Sequence, residues 1–280
     1  MIDILIEIAP SGLLQGLILS LLATGVMIPF RLLNFPDLTA EGAYPLGGAL
    51  CASLIVAGFH PAVALGVACF GAGLLGTGTA IIHIKYKVNT LLAGIILSTM
   101  IYSVNLRVMG KPNIALFELP SLFNNLSAGI SSQIITLLVI NITIISLLYL
   151  FLNTEKGLRF RAVGLNPRFA ERQGINLNKN IIAGLFIGNG LSGLAGALLV
   201  QIQGYADIAI GVGIVIHALA AMMIGEKIVG TNNTLKLVIA PFIGSIIYQQ
   251  IQGIALAAGL APSDLKLLTG AIVLGIISLR

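Results

Sequence analysis

The chain has 280 residues, of which 57% are hydrophobic and only 9% are charged, and its mean hydropathy is +1.03. A soluble globular domain carries about a quarter charged residues because its surface faces water. This composition therefore excludes an ordinary soluble protein and indicates a surface that faces lipid. The net charge of +5 does not indicate nucleic-acid binding, because the basic residues cluster between apolar runs.

Apolar runs suited to membrane-spanning helices recur along the whole chain, since a bilayer core about 30 Å thick requires roughly 20 apolar residues per helix. The runs occupy residues 11–30, 42–58, 61–82, 89–106, 131–152, 181–202, 206–225, 235–252 and 265–279. The second run is short and contains Pro45, Gly47 and Gly48, so it is predicted to be broken or re-entrant. The sequence predicts an all-α polytopic membrane protein, a bundle of eight to ten crossings in one transmembrane domain, residues 1–280.

Small residues recur at every fourth position in three of these runs. They are Gly12, Gly16, Ser20 and Thr24 in the first run, Ala64, Ala68, Ala72, Gly76 and Ala80 in the third, and Gly184, Gly188, Ser192 and Gly196 in the sixth. Such faces let helix backbones approach closely in lipid. They predict either a compact bundle or a subunit interface.

The basic residues predict the orientation. One set of connections, taken as cytoplasmic, holds twelve of them: Arg31, Lys85, Lys87, Lys156, Arg159, Arg161, Arg168, Arg172, Lys179, Lys227, Lys236 and Arg280. The opposite set holds three, namely Arg107, Lys111 and Lys266. By the positive-inside rule the N-terminus lies outside the cell and the C-terminus inside.

The longest hydrophilic stretch, residues 153–180, contains start and stop signals for a short helix. Asn166 is a suitable N-cap, Pro167 suits the first helical position, and Gly174 suits the end. A helix over 167–173 is too short to be stable alone in water. It is therefore predicted to dock onto a partner, although a solvated connector is the alternative.

The faces of this short helix suggest how it would dock. Phe169 and Ala170 offer apolar contact, and Arg168, Glu171 and Arg172 carry charge on neighbouring positions. A partner with an apolar groove and a charged rim would suit this helix.

Three separated segments carry a resemblance to a known family. They are RAVGLNPRFAERQGIN (161–176), FRLLNFPDLTAEGAYPLGGA (30–49) and NTLLAGIILSTMIYSVNLRVMGKPNI (89–114). The first resembles the coupling region of permeases in the branched-chain amino-acid and ribose importer superfamily, the type II ABC importers. The other two resemble the branch described as tryptophan/tyrosine-type import permeases.

The resemblance implies a type II ABC importer permease of the bacterial inner membrane that moves a small solute, with an amino acid among the candidates. Its short cytoplasmic helix would insert into a groove on a separate ATPase subunit. The implied coupling positions are Arg161, Gly164, Asn166, Pro167, Arg168, Phe169, Ala170, Arg172 and Gly174. The chain would pair with a second copy or a similar permease. An extracytoplasmic substrate-binding protein would dock on the outer side, where the long loop 107–130 lies.

Five polar residues are candidates for gating or for lining the path. Asn34, Asp37 and Glu41 surround Pro36, which interrupts helical structure, and they suit either a tight cytoplasmic turn or a gating element. Asn189 and His217 lie in the middle of apolar runs. There they form interhelical hydrogen bonds or line the path, and the first role is favoured.

Motifs for catalysis are absent from the sequence. No G-x-x-x-x-G-K-[ST] phosphate loop, H-E-x-x-H or G-x-S-x-G occurs, and the three histidines have no ligand-like spacing. No cofactor or metal is expected, and the chain needs an ATPase from elsewhere. The alternatives are an ion-gradient-driven secondary transporter, which should show a paired intramembrane carboxylate, and a membrane enzyme or scaffold.

Overall fold

A computed structural model describes residues 2–123 and 129–278, and helices dominate it. The first half contains α1 (Ile2–Met27), a π-helical turn (Ile28–Leu32), α2 (Ala40–Val56), α3 (Pro61–Tyr86), α4 (Thr90–Met109) and strand β1 (Asn113–Ala115). The second half contains α5 (Ile130–Leu152), α6 (Glu155–Leu165), α7 (Pro167–Arg172), α8 (Leu177–Gln203), β2 (Tyr205–Asp207), a 3-10 turn (Ile208–Gly211), α9 (Ile214–Val229), α10 (Thr234–Ala257), a second 3-10 turn (Pro262–Asp264) and α11 (Leu265–Ser278).

Each of the nine apolar runs corresponds to a helix, which confirms the predicted polytopic bundle. Seven helices in the described part of the chain are long and apolar enough to cross a bilayer. α2, with 17 residues, and α11, with 14, are shorter. The expected break at Pro45 is wrong: α2 runs through Pro45 without interruption, and the non-helical stretch precedes it at residues 33–39.

The predicted small-residue faces lie inside the bundle. Ala64, Ala68 and Ala72 on α3 are fully buried. At the crossing of α2 and α8, a Cβ on Gly47 would lie 1.9 Å from the carbonyl oxygen of Gly193, so only glycine fits there. These faces bring the backbones of α2, α3 and α8 together and confirm the compact bundle.

The predicted cytoplasmic connections meet at one end of the bundle. The Arg31 Nε lies 2.8 Å from a carboxylate oxygen of Glu226, and the rings of Phe35 and His83 pack edge to face at 5.0 Å. The segments of the twelve basic residues therefore share one end, except for Arg280, which lies outside the described residues. Which side of the membrane that end faces stays a prediction.

A small antiparallel ribbon lies at the opposite end. β1 pairs with β2 through Ile114 and Ala206, and the Leu116 N–H donates to the Gly204 carbonyl over 2.7 Å. Leu116 and Phe123 are buried beneath this part of the 107–130 loop. The described residues of the loop thus cover the end of the bundle opposite the basic connections, which is the predicted outer end.

Candidate coupling segment and buried polar path

The segment after α5 folds into two helices, although the sequence pattern predicted only the second. α6 begins where the Thr154 hydroxyl accepts a hydrogen bond from the Gly157 N–H over 3.2 Å. A Thr cap followed by Glu155 in the first turn is a start signal that was present in the sequence but was missed. Phe160 and Val163 on α6 are buried against the helix bundle.

α6 is fixed to the bundle at two further points. A Cβ on Gly164 would lie 1.8 Å from the Leu32 carbonyl oxygen, so the backbones of α6 and the π-helical turn are in direct contact. The Arg161 guanidinium donates to the Thr234 hydroxyl over 2.8 Å, at the first residue of α10. Gly164 and Arg161 therefore both contact the chain's own helices.

α7 has the boundaries that its local signals predicted. The Asn166 side-chain oxygen accepts from the Phe169 N–H over 3.0 Å, and Pro167 occupies the first helical position. The chain leaves the helix through Gly174, which has a φ of +75° that favours glycine. The helix ends at Arg172, one residue before the predicted end.

The two faces of α7 differ sharply. The prediction that Ala170 offers apolar contact to a partner is wrong, because Ala170 is fully buried in the chain's own core. Phe169 is 57% exposed and the neighbouring Leu165 is 87% exposed. Arg168 and Arg172 are exposed beside them. The surface formed by Leu165, Arg168, Phe169 and Arg172 is hereafter the α7 tip.

The stretch between the π-helical turn and α2 consists of a turn at the surface followed by a buried, non-helical segment. Asn34 is exposed at its start and has a φ of +51°, a left-handed conformation that Asn tolerates better than most residues. The Phe35 N–H closes the turn on the Pro29 carbonyl over 2.8 Å. From Asp37 onward the chain lies among α3, α4 and α8.

Asp37 is the centre of a buried polar network. Its carboxylate accepts hydrogen bonds from the Thr39 backbone N–H (2.9 Å), the Thr39 hydroxyl and the Asn189 amide nitrogen (2.8 Å). The hydroxyl oxygens of Thr39 and Thr79 lie 2.6 Å apart. The network ties the non-helical stretch to α3 and α8, and it satisfies backbone groups that the interrupted helix leaves free.

This network also shows where Asn189 and the acidic residues of the stretch lie. Asn189 of α8 donates to Asp37 in the non-helical stretch, so its hydrogen bond joins α8 to that stretch rather than to another helix. The role of Asn189 in lining the path stays a prediction. Asp37 is 1% exposed among the helices, and Glu41 lies one turn further along, so this stretch holds two acidic residues within the bundle. The three charged residues of the 31–41 segment therefore separate: Arg31 pairs with Glu226, Asp37 joins the network, and Glu41 lines a distinct cavity.

His217 also lies in an interhelical network. Its Nδ1 lies 2.6 Å from the Tyr248 hydroxyl, which lies 2.7 Å from the Thr269 hydroxyl. The Gln252 amide donates to the same Tyr248 oxygen over 2.6 Å. This network joins α9, α10 and α11, so His217 forms an interhelical hydrogen bond, while its role in lining the path stays a prediction. Within the described residues, no group of three or more His, Cys, Asp or Glu side chains could hold a metal ion.

Comparison with known proteins identifies the family of this chain and supports its fold. Residues 8–277 match the family described as the permease component of the branched-chain amino acid transport system. The chain belongs to this permease family. Its resemblance at three segments is thereby confirmed over almost the whole sequence.

Relatives of this permease family are similar over most of their length. A tyrosine transport system permease protein of Clostridioides difficile (strain R20291) is 37% identical over 96% of this chain and 90% of its own. An uncharacterized protein of Rickettsia prowazekii (strain Madrid E) is 36% identical over 93% of each chain. A solved structure assigned to the metal-chelate type of ABC transporter, in an inward-facing conformation, has a TM-score of 0.52 at 16% identity, covering 98% of this chain and 85% of its own.

The family and the fold together establish the protein class. The chain is a multi-pass ABC transporter permease of the inner membrane, with the helical architecture seen in another ABC transporter. The family match favours an ABC permease over the alternatives of an ion-gradient-driven transporter and a membrane enzyme. The ABC permease family also implies an ATPase partner.

Proposed function

We propose that this permease imports an amino acid, and that a separate ATPase drives it by binding the α7 tip. One domain, residues 1–280, would form the path, and residues 153–180 would form the coupling segment. The exposed Phe169 carries the proposal, because a large apolar side chain between two arginines on a capped helix suits a groove on another protein. The tyrosine permease relative supports an amino acid as the cargo.

The contacts of α6 suggest how force from the ATPase reaches the path. α6 contacts the π-helical turn through Gly164 and the start of α10 through Arg161. The π-helical turn leads directly into the stretch that contains Asp37. A displacement of α7 would therefore move two transmembrane helices and bias the bundle between its inward-open and outward-open states.

A second permease copy, identical or similar, would complete the path. α4 is mostly exposed, and a cavity containing Glu41 opens beside it. A carboxylate facing lipid at this depth is costly, and a second copy packed on α4 would separate that cavity from lipid.

An extracytoplasmic substrate-binding protein would deliver the cargo to the outer end, where the 107–130 loop lies. The energy source is supplied in trans, since this chain is proposed to hold no ATPase site.

The test is co-purification of the permease with its cognate ATPase from a membrane extract. Replacing Arg168 and Phe169 together by Ala should weaken association by about tenfold or more, the effect of removing an interface anchor. Phe59→Ala is the matched control, because Phe59 is 52% exposed near the outer end of α2. Unchanged association and unchanged ATP hydrolysis in the double variant would refute the coupling role of α7.

A further inference from the structure

A second polar site lies apart from the Asp37 network, in a cavity of about 350 Å³ between α2, α4 and the chain that precedes α9. Ser98, Ile101, Tyr102 and Asn105 line it from one face of α4, at the spacing of a single helical stripe. Glu41 lines it from the first turn of α2. This volume is at the lower end of the range for small-molecule sites.

Two helices begin at this cavity within the thickness of the membrane. α2 has 17 residues and α9 has 16, so each is roughly 25 Å long and shorter than a 30 Å hydrocarbon core. α2 reaches the outer end and α9 the inner end, and their first residues meet beside the cavity. Non-helical backbone at such depth is tolerated only where protein buries it or where it lines a cavity.

Asn105 presents hydrogen-bonding groups that the chain itself does not use. It is 1% exposed, and within the described residues neither its amide oxygen nor its amide nitrogen has a hydrogen-bond partner. A buried amide without partners costs free energy, so an uncompensated one calls for a ligand or another explanation. Asn105 lines the cavity and therefore offers one acceptor and one donor to whatever occupies it.

Glu41 adds further acceptors. Its half-buried carboxylate accepts a hydrogen bond from the Gly213 N–H and otherwise faces the cavity. Its backbone carbonyl has lost the usual helical donor, because Pro45 has no N–H. The Gly211 backbone packs directly against that carbonyl, since a Cβ on Gly211 would lie 2.2 Å from the oxygen.

We propose that this cavity binds the amino-acid cargo during its passage, with Glu41 and the Asn105 oxygen receiving its ammonium group. A primary ammonium has three N–H donors, which suit the two carboxylate oxygens of Glu41 and the amide oxygen of Asn105. The Asn105 nitrogen and the positive end of the α9 dipole suit the carboxylate of the same molecule. This inference rests on the proposed function and specifies its cargo site.

The first experiment measures uptake of radiolabelled L-tyrosine by the permease and its ATPase in proteoliposomes, with the binding protein present. Glu41→Gln and Asn105→Leu should each lower uptake by about tenfold or more, the effect of losing a hydrogen bond to a charged group. Thr143→Ala, on the exposed side of α5 away from the cavity, should leave uptake unchanged. Association with the ATPase and basal ATP hydrolysis should stay at the wild-type level in all three.

A second experiment uses the purified full chain and does not depend on the ATPase. Cys51 and Cys69 are replaced by Ser, and Thr99, which lines the cavity, is replaced by Cys. L-Tyrosine and tyramine should both slow modification of this cysteine by a methanethiosulfonate reagent, and Glu41→Gln should remove the protection by tyramine. 4-Hydroxyphenylpropionate, which lacks the ammonium group, should protect poorly.

The outcomes separate the cargo site from the coupling mechanism. Wild-type uptake in Glu41→Gln and Asn105→Leu, or equal protection with and without Glu41, would overturn the cargo site. Uptake of no amino acid by a complex that still binds its ATPase would also overturn it and leave the α7 coupling intact. Failure of the ATPase to bind, together with amine protection of the cysteine, would refute the coupling and support the site.

Discussion

α6 and α7 are neighbours in sequence, both short and both charged, yet they differ in what their aromatic residues contact. Phe160 of α6 is 2% exposed and packs in the core, whereas Phe169 of α7 is more than half exposed. α6 is thereby part of the permease bundle, while α7 presents a surface that the chain leaves uncovered. In the proposed mechanism the difference separates two tasks within one loop: α7 would receive motion from the ATPase, and α6 would carry it into the bundle.

The largest expected difference between α6 and α7 comes from making the same substitution at Phe160 and at Phe169. Phe160→Ala should lower the free energy of unfolding by about 3–5 kcal/mol, because it leaves a cavity in the core. Phe169→Ala should change it by less than about 0.5 kcal/mol, as for an ordinary surface site, while weakening ATPase association. Thermal unfolding followed with a thiol-reactive dye suits this chain, which has no Trp and has Cys51 buried. Equal destabilisation by the two variants would contradict the division of tasks.

The backbone contact of α6 gives the next largest effect. Gly164→Ala should destabilise the chain by about 1–3 kcal/mol, because the new Cβ would overlap the Leu32 carbonyl and the backbones must separate. Gly66→Ala is the control, since its Cβ would meet nothing within 4 Å. Equal melting temperatures for these two variants would mean that α6 does not press on the π-helical turn.

The Asp37 network lies in the stretch that follows the π-helical turn, and its hydrogen bonds can be tested in the same way. Asp37→Ala should cost about 1–3 kcal/mol, because it leaves the Thr39 N–H and the Asn189 amide without their acceptor. Adding Asn189→Leu to Asp37→Ala should cost less than the two single changes together. Additive melting shifts in the double variant would show that the two side chains act independently.

Arg161 and Thr234 offer a smaller test of the link between α6 and α10. Thr234→Val keeps the shape of the side chain and removes the hydroxyl that accepts from Arg161. The expected cost is about 0.5–1.5 kcal/mol, with ATPase association unchanged and transport per ATP hydrolysed reduced. If Thr234→Val transports as much substrate per ATP hydrolysed as the wild type, the Arg161–Thr234 hydrogen bond does not transmit motion from α6 to α10.

Arg159→Ala should have the smallest effect. Its nearest acidic atom is 3.7 Å away on Glu155, and both side chains are mostly exposed, so water and salt screen the pair. No shift in melting temperature is expected. A clear shift would show that the exposed side of α6 also has a partner within the bundle.

Local signals mark both short helices, although only those of α7 were recognised, since α6 also begins at a Thr cap followed by an acidic residue. Asn166, Pro167 and Gly174 act through hydrogen bonds and backbone angles within a few residues, and the structure places each in its predicted position. The assignment of Ala170 to a partner-facing surface failed, because the burial of a helix face depends on distant segments. The sequence analysis did not single out Asn105, although a lone polar side chain in an apolar run is a recognisable sign of a residue that faces the bundle interior or a cavity.

Composition and residues close together in the chain were enough to predict the membrane-spanning helices, the small-residue packing faces and the capped helix that begins at Pro167. The sequence did not reveal that Asp37 contacts Asn189 or that Glu41 and Asn105 line the same cavity, because both facts depend on the tertiary structure. These pairs are separated by many residues, and their partners follow from which helices cross and at what depth. Close backbone approach at glycines such as Gly47 and Gly193 sets those crossings.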